Sequence, residues 1–228
     1  STGSQGPTGA PGNDTVLDGN CYSDYLYWDT GTNIWTPGGD TVHIACLAGE
    51  FNQATYSVAV GYSSGNSNQG SNSVAIGNSA AANDQGDTSI AIGYVAGSVN
   101  QGSNCVAIGN DAGSNNQNDG SVAIGYVAGN DNQKGNAVAI GNGAGQIVQG
   151  INTVAIGVNA GNDNQQDSGI AIGNAAGLSN QGVNSIAIGT LAGQSQDNSA
   201  IAIGDGAGTL SQGAQSIAIG VGAGSQIQ

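Results

Sequence analysis

The sequence predicts an all-β fold, a parallel β-solenoid built from 16-residue coils. Three observations point there: one pentapeptide recurring in fixed phase, a second residue type locked to the same phase, and a composition of small residues. Gly is 42 of 228 residues, Met is absent, aromatics are 4% and charged residues 7%. Such a composition suits a repeat architecture, in which every coil must fit the same narrow cross-section.

Residues 1–14 come first and read as a collagen-like segment. Gly3-Ser-Gln, Gly6-Pro-Thr, Gly9-Ala-Pro and Gly12-Asn-Asp are four consecutive Gly-X-Y triplets. Chains with this signature associate in threes, because only Gly fits at the crowded axis of the triple helix. Four triplets are too short to hold alone, so the segment reads as the tail of a longer stalk. The start STGSQGPTG, without Met or a signal-like stretch, predicts a fragment or processed product.

Residues 15–40 follow as a small aromatic β cap or connector. They hold Tyr22, Tyr25, Tyr27, Trp28 and Trp35, together with the turn signals Asp29-Thr-Gly and Pro37-Gly-Gly. Covering the open edge of a solenoid is the expected task, since bare edges invite aggregation. A carbohydrate-binding patch is the other role this block admits.

Residues 41–228 form the solenoid, with about twelve repeats. The motif Ser-Val/Ile-Ala-Ile-Gly places its glycine at Gly61, Gly77, Gly93, Gly109, Gly125, Gly141, Gly157, Gly173, Gly189, Gly204 and Gly220, in steps of 16 with a single 15. Thr-Val-His-Ile-Ala, ending at Ala45, is a degenerate first copy. Eight residues before each motif glycine stands Gln: Gln53, Gln69, Gln85, Gln101, Gln117, Gln133, Gln149, Gln165, Gln181, Gln196 and Gln212. The residue lost in the 15-residue step lies between Gly189 and Gln196 and reads as a shortened turn.

Each coil reads as two short strands and two turns. Ser-Val-Ala-Ile alternates large and small side chains at period two, which sends them to opposite faces of a strand. Gly followed by pairs such as Asn110-Asp111 makes one turn, and Gln-Gly-x-Asn or Gln-Asn-Asp makes the other. In-register stacking would bring the glutamines into a side-chain amide ladder. The interior of so short a coil has room for Ala, Ser and Gly but not for a row of Val and Ile. The residues Val74, Ile76, Ile90, Ile92, Val106, Ile108, Val122 and Ile124 therefore mark an outward apolar stripe. A stripe of that length exceeds what soluble monomers expose, which predicts self-association. With the Gly-X-Y triplets it predicts a homotrimer.

Several functional classes are excluded or weakened. Fifteen acidic residues face one basic residue, Lys134, so clustered Lys and Arg for nucleic acid or anionic lipid are missing. No run approaches the length of a membrane span, and membrane insertion is not expected. The three cysteines lack metal-site spacing. Cys21 and Cys46 would be candidates for a disulfide in an extracellular setting, but small unpaired hydrophobes are the preferred reading. His43 is the only histidine and reads as packed or capping rather than catalytic. With no nucleophile elbow, HExxH or phosphate loop, no enzyme, cofactor or metal is expected. Asp-rich turns supply calcium-type oxygens without the nine-residue calcium repeat, and Thr88, Thr153, Thr190 and Thr209 sit out of phase for an ice-binding array. Tyr62, Tyr94 and Tyr126 each follow a motif glycine at 32-residue spacing, with Asn78 and Asn110 between, a candidate column for stacking sugars.

The motif Ser-Val-Ala-Ile-Gly at residues 73–77 and 121–125 resembles the YadA-like head repeat of trimeric autotransporter adhesins, over residues 41–228. The resemblance implies a left-handed β-roll, three chains side by side, and a role in attachment to a host receptor or glycan. The 16-residue period and the invariant Gln depart from that family, whose repeat is nearer 14. The combination of collagen-like triplets, aromatic block and Ala-Ile-Gly-x-x-Ala-Gly repeats looks still more like the collagen-like fibre proteins of giant DNA viruses. That likeness implies a virion-surface location, or otherwise an extracellular one. The alternative is a monomeric solenoid that binds a glycan or ion without any fibre role.

Overall fold

The computed structural model of the protein describes residues 25–29 and 31–226. The collagen-like triplets, Cys21 and Tyr22 lie outside the described residues. The chain divides into two units, one ending at Gly39 and one beginning at Asp40.

In the first unit, β1 (Leu26–Asp29) and β2 (Ile34–Pro37) pair antiparallel, with Trp28 opposite Trp35. The turn is held by Asp29, whose carboxylate accepts from the Gly31 amide at 2.8 Å and from the Thr32 hydroxyl at 2.8 Å. Those two donors favour the ionised form and hold the Asp29 carboxyl below its ordinary pKa. Asn33 closes the loop in the left-handed conformation that Asn tolerates.

The second unit is a parallel β-solenoid. Its first sheet has twelve three-residue strands, from Val42–Ile44 to Ile217–Ile219, paired in register so that Val106, Ala107 and Ile108 lie against Val122, Ala123 and Ile124. The second sheet has eight strands, from Phe51–Gln53 to Asp163–Gln165, each ending on the repeating Gln. The glutamines thus close the second strand, and the turn begins after them. At about 4.8 Å per parallel step the twelve-stranded sheet is roughly 53 Å long.

Why these residues coil so tightly is visible in the backbone. From Gly61 to Gly220 the motif glycines have φ between 117° and 134°, and from Gly61 to Gly204 an added Cβ would stand 2.4–2.6 Å from the carbonyl oxygen of the motif glycine one coil further on. A side chain there is excluded twice over, by conformation and by the neighbouring coil. Other positions take φ near +55°, and the residue before the ladder Gln, in the middle of the second strand, is one of them: Asn52, Asn68, Asp84, Asn100, Asn116, Asn132, Asn164 and Asn180. Asn and Asp enter that region most readily among residues with a side chain.

The single 15-residue step corrects the sequence reading. Gly193 keeps its place four residues after Gly189, at φ 52°, so that turn is complete. The missing residue falls between Gly193 and Gln196, where most earlier coils form their second strand and this one keeps only the bridge at Gln196. Beyond Asp163–Gln165 the second sheet continues only as isolated bridges, including Gln181 to Gln196 and Gln196 to Gln212.

Candidate functional site: an amide-lined interior and an apolar outer face

Most coils enclose one Ala from the middle of the first strand, one from the turn, and the Gln from the second; His43 replaces the strand alanine in the first coil and Ser64 the turn alanine in the second. Ala75, Ala91, Ala107 and Ala123 are fully buried, as are Ala96, Ala112 and Ala128. The largest side chains in the interior are the glutamines themselves, with Gln117, Gln133, Gln149 and Gln181 wholly shielded from solvent.

Burial of an amide is tolerable only when its hydrogen bonds are made. Gln117 Nε2 donates across the coil to the Val106 carbonyl at 3.0 Å and along the stack to Gln133 Oε1 at 3.1 Å. This pattern runs unbroken from Gln85 to Gln181, with amide-to-amide distances of 2.9–3.3 Å. A second segment joins Gln196 to Gln212 at 2.8 Å. The glycine four residues before most of these glutamines, such as Gly113, lies flat against the amide; its added Cβ would be 2.8 Å from Gln117 Oε1.

The ladder does not run the full length. Gln196 Oε1 is buried without a partner, so the stack breaks between Gln181 and Gln196, at the shortened coil. Gln85 Oε1 also lacks a partner, and its coil is the one with Ala81 where the others carry that glycine. Gln53 stands apart: its Oε1 pairs with His43 Nδ1 at 3.0 Å, which ties the sole histidine to a packing role in the first coil. Gln69 Nε2 reaches only the Val58 carbonyl, at 2.9 Å, and its Oε1 is unpartnered.

A second, outer ladder went unread in the sequence. Asn52 donates to Asn68 and Asn68 to Asp84, at 2.9 and 2.7 Å, and Asn100 donates to Asn116 at 3.0 Å. Its signal was present, since Asn or Asp precedes the ladder Gln in eight of eleven coils.

The Val and Ile residues all face outward. Val74, Ile90, Val106 and Val122 are half-buried, as are Ile92, Ile108 and Ile124, while Ile76 is 37% exposed. This face runs along the twelve strands of the first sheet. Tyr62, Tyr94 and Tyr126 project from the turn that follows the first strand, each more than half exposed.

The remaining candidates separate. Among the described residues no group of His, Cys, Asp and Glu could hold a metal. Asp84 and Asp119 border an open depression of about 510 Å³, lined otherwise by Gly and amide side chains. Cys46 is a free thiol, and it is exposed. Cys105 is buried in the Ser column, 3.1 Å from the Asn118 carbonyl, and burial raises its thiol pKa. Trp28 and Trp35 stack edge to face at 5.6 Å and stay about half exposed.

The unit is thus an in-register, two-stranded parallel solenoid with small residues inside and β-branched residues outside. Residues 69–96 match the family model of the YadA head domain repeat, in two copies. The chain therefore carries YadA-like head repeats, the adhesin type of repeat. No curated protein and no solved structure matches the chain.

Proposed function

We propose that this chain is a non-catalytic segment of a surface fibre, in which three copies pack side by side through their Val and Ile faces as left-handed rolls. The fibre stands on a virion or cell surface and serves attachment, either by contacting a host receptor or glycan itself or by carrying a distal tip. The observation that carries this reading is the outer apolar face of the twelve-stranded sheet, two β-branched residues wide and about 53 Å long. An exposed strip of that extent calls for a partner surface, and a second and third copy of the same chain offer one in matching register. The YadA-like repeats support the same geometry, and the Gly-X-Y triplets at residues 3–14 favour three chains.

The test is solution mass by light scattering, on the chain and on Ile124→Asp. A mass about three times the 22.0 kDa chain, lost or reduced in the variant, is the expected result. A well-behaved monomer would overturn the fibre reading and leave an isolated binding solenoid.

A further inference from the structure

We propose that the Tyr62–Tyr94–Tyr126 column is a binding track for a neutral, extended β-1,4-linked glycan. The solenoid unit has five aromatic residues, and three of them occupy this one column on alternate coils. They are 53%, 55% and 56% exposed, so each side chain keeps about half of its surface open to solvent.

The mounting is rigid. Each tyrosine directly follows a motif glycine whose φ, from 125° to 134°, fixes the direction in which the chain leaves the strand. The turn backbone is itself bonded from coil to coil through this column: Ser79 N to Tyr62 O at 2.9 Å, Val95 N to Asn78 O at 3.0 Å, Asp111 N to Tyr94 O at 2.9 Å and Val127 N to Asn110 O at 3.0 Å. Two parallel steps put successive tyrosines about 9.6 Å apart, and the outer pair about 19 Å apart.

That spacing is the length of one disaccharide in an extended β-1,4-linked chain, where alternate sugars turn the same face to one side. Aromatic rings take the apolar face of a pyranose, and exposed Asn78 and Asn110, midway between the rings, present amides to the hydroxyl or acetamido groups of the intervening sugars. A chain with formal net charge −14 repels polyanionic glycans, which selects the neutral class. The inference depends on the register within one chain and not on assembly, so it stands or falls separately from the trimer.

The experiment is calorimetric titration of the whole chain with β-1,4-linked glucose and N-acetylglucosamine oligomers of two, four and six sugars, with maltohexaose and heparin alongside. Affinity should rise with each added disaccharide, by roughly three- to tenfold per ring engaged. Tyr94→Ala should remove most of the gain from two to four sugars, because a tetrasaccharide then reaches only one ring, and should lower hexasaccharide affinity by one ring's worth; Tyr94→Phe should keep the parent's steps. Light-scattering mass on the same samples shows that the variants assemble as the parent does. Absence of binding by either hexasaccharide, affinity independent of length, or an unchanged titration with Tyr94→Ala would each overturn the proposal. Equal binding of maltohexaose or heparin would overturn the assignment to an extended neutral chain.

Discussion

Replacing Gln117 by Leu tests whether the buried amide ladder holds the coils together. Gln117 sits in the middle of the unbroken stretch, with no solvent exposure. Its Nε2 serves the Val106 carbonyl, the Ser121 carbonyl at 3.2 Å and Gln133 Oε1, while its Oε1 accepts from Gln101 at 3.0 Å. Leucine removes the two ladder bonds and leaves one amide hydrogen of Gln101 and one oxygen of Gln133 without partners. Each buried group so orphaned costs about 1–3 kcal/mol, and the Val106 carbonyl loses a further bond worth about 1 kcal/mol. Burial of the leucine side chain offsets about 1.5–3 kcal/mol of this, which leaves a net loss of roughly 1–4 kcal/mol. Gln69→Leu is the internal control. It loses only the bond to Val58, worth about 1 kcal/mol, and removes an oxygen that is already unpartnered, so with the same leucine burial it should be neutral or stabilising, by up to about 2 kcal/mol. Denaturant unfolding of both variants, followed by circular dichroism, gives the comparison. Equal losses at the two sites, or no loss for Gln117→Leu, would refute the ladder as a source of stability.

Gly109→Ala should cost more than the roughly 1 kcal/mol of an ordinary Gly-to-Ala conformational change, because the new Cβ would lie 2.4 Å from the Gly125 carbonyl oxygen. A melting temperature within error of the parent would contradict this. At neutral pH an alkylating reagent should modify Cys46 at once and Cys105 only on unfolding, since burial keeps the latter protonated. The sign follows from that raised pKa: the folded state favours the thiol, so stability linked to Cys105 is intact below the ordinary thiol pKa and is lost as pH rises above it. Rapid labelling of Cys105 in the folded chain would show the interior to be open. Inserting one Asn between Ser195 and Gln196 restores the 16-residue step. It should join Gln181 to Gln196 and raise stability by about 1 kcal/mol; unchanged or lowered stability in denaturant would count against the shortened coil as a defect in the ladder.

Much of this architecture was legible because the repeat is close to one-dimensional. Phase-locked glycines fixed the coil length, and period-two alternation told Ala from Val and Ile, since strands send alternate residues to opposite faces. The phase of the Gln column was equally plain, but which of its members bond to one another was not. The breaks fall at the coil with Ala81, at the first coil, where Gln53 Nε2 goes to the Val42 and Ser57 carbonyls and not to Gln69, and where one residue was lost before Gln196. None of these changes the period that the sequence displays. The second strand was counted but its bounds were not legible, because its residues are mostly polar and its central position is left-handed, so alternation gives no signal there. The Tyr column was visible as a spacing, while its exposure and its coil-to-coil bonded mounting needed three dimensions.

The placement of polar and apolar groups inverts the ordinary globular arrangement. Inside each coil lie alanines and hydrogen-bonded glutamines, which bury little apolar area apiece, and outside lie the branched side chains that bury most. The single roll is thus held mainly by backbone ladders and amide bonds, each of small net value. The larger hydrophobic gain stays unrealised until the outer face meets another surface. Local coil-to-coil order and burial of the apolar face are therefore separate layers of stability: Gln117→Leu acts on the first, Ile124→Asp on the second. If both were set by one chain alone, the two substitutions would lower stability to the same extent at every protein concentration. If, as proposed, further copies of the chain cover that face, the stability of the parent should rise with chain concentration, and that dependence should vanish in Ile124→Asp while persisting in Gln117→Leu.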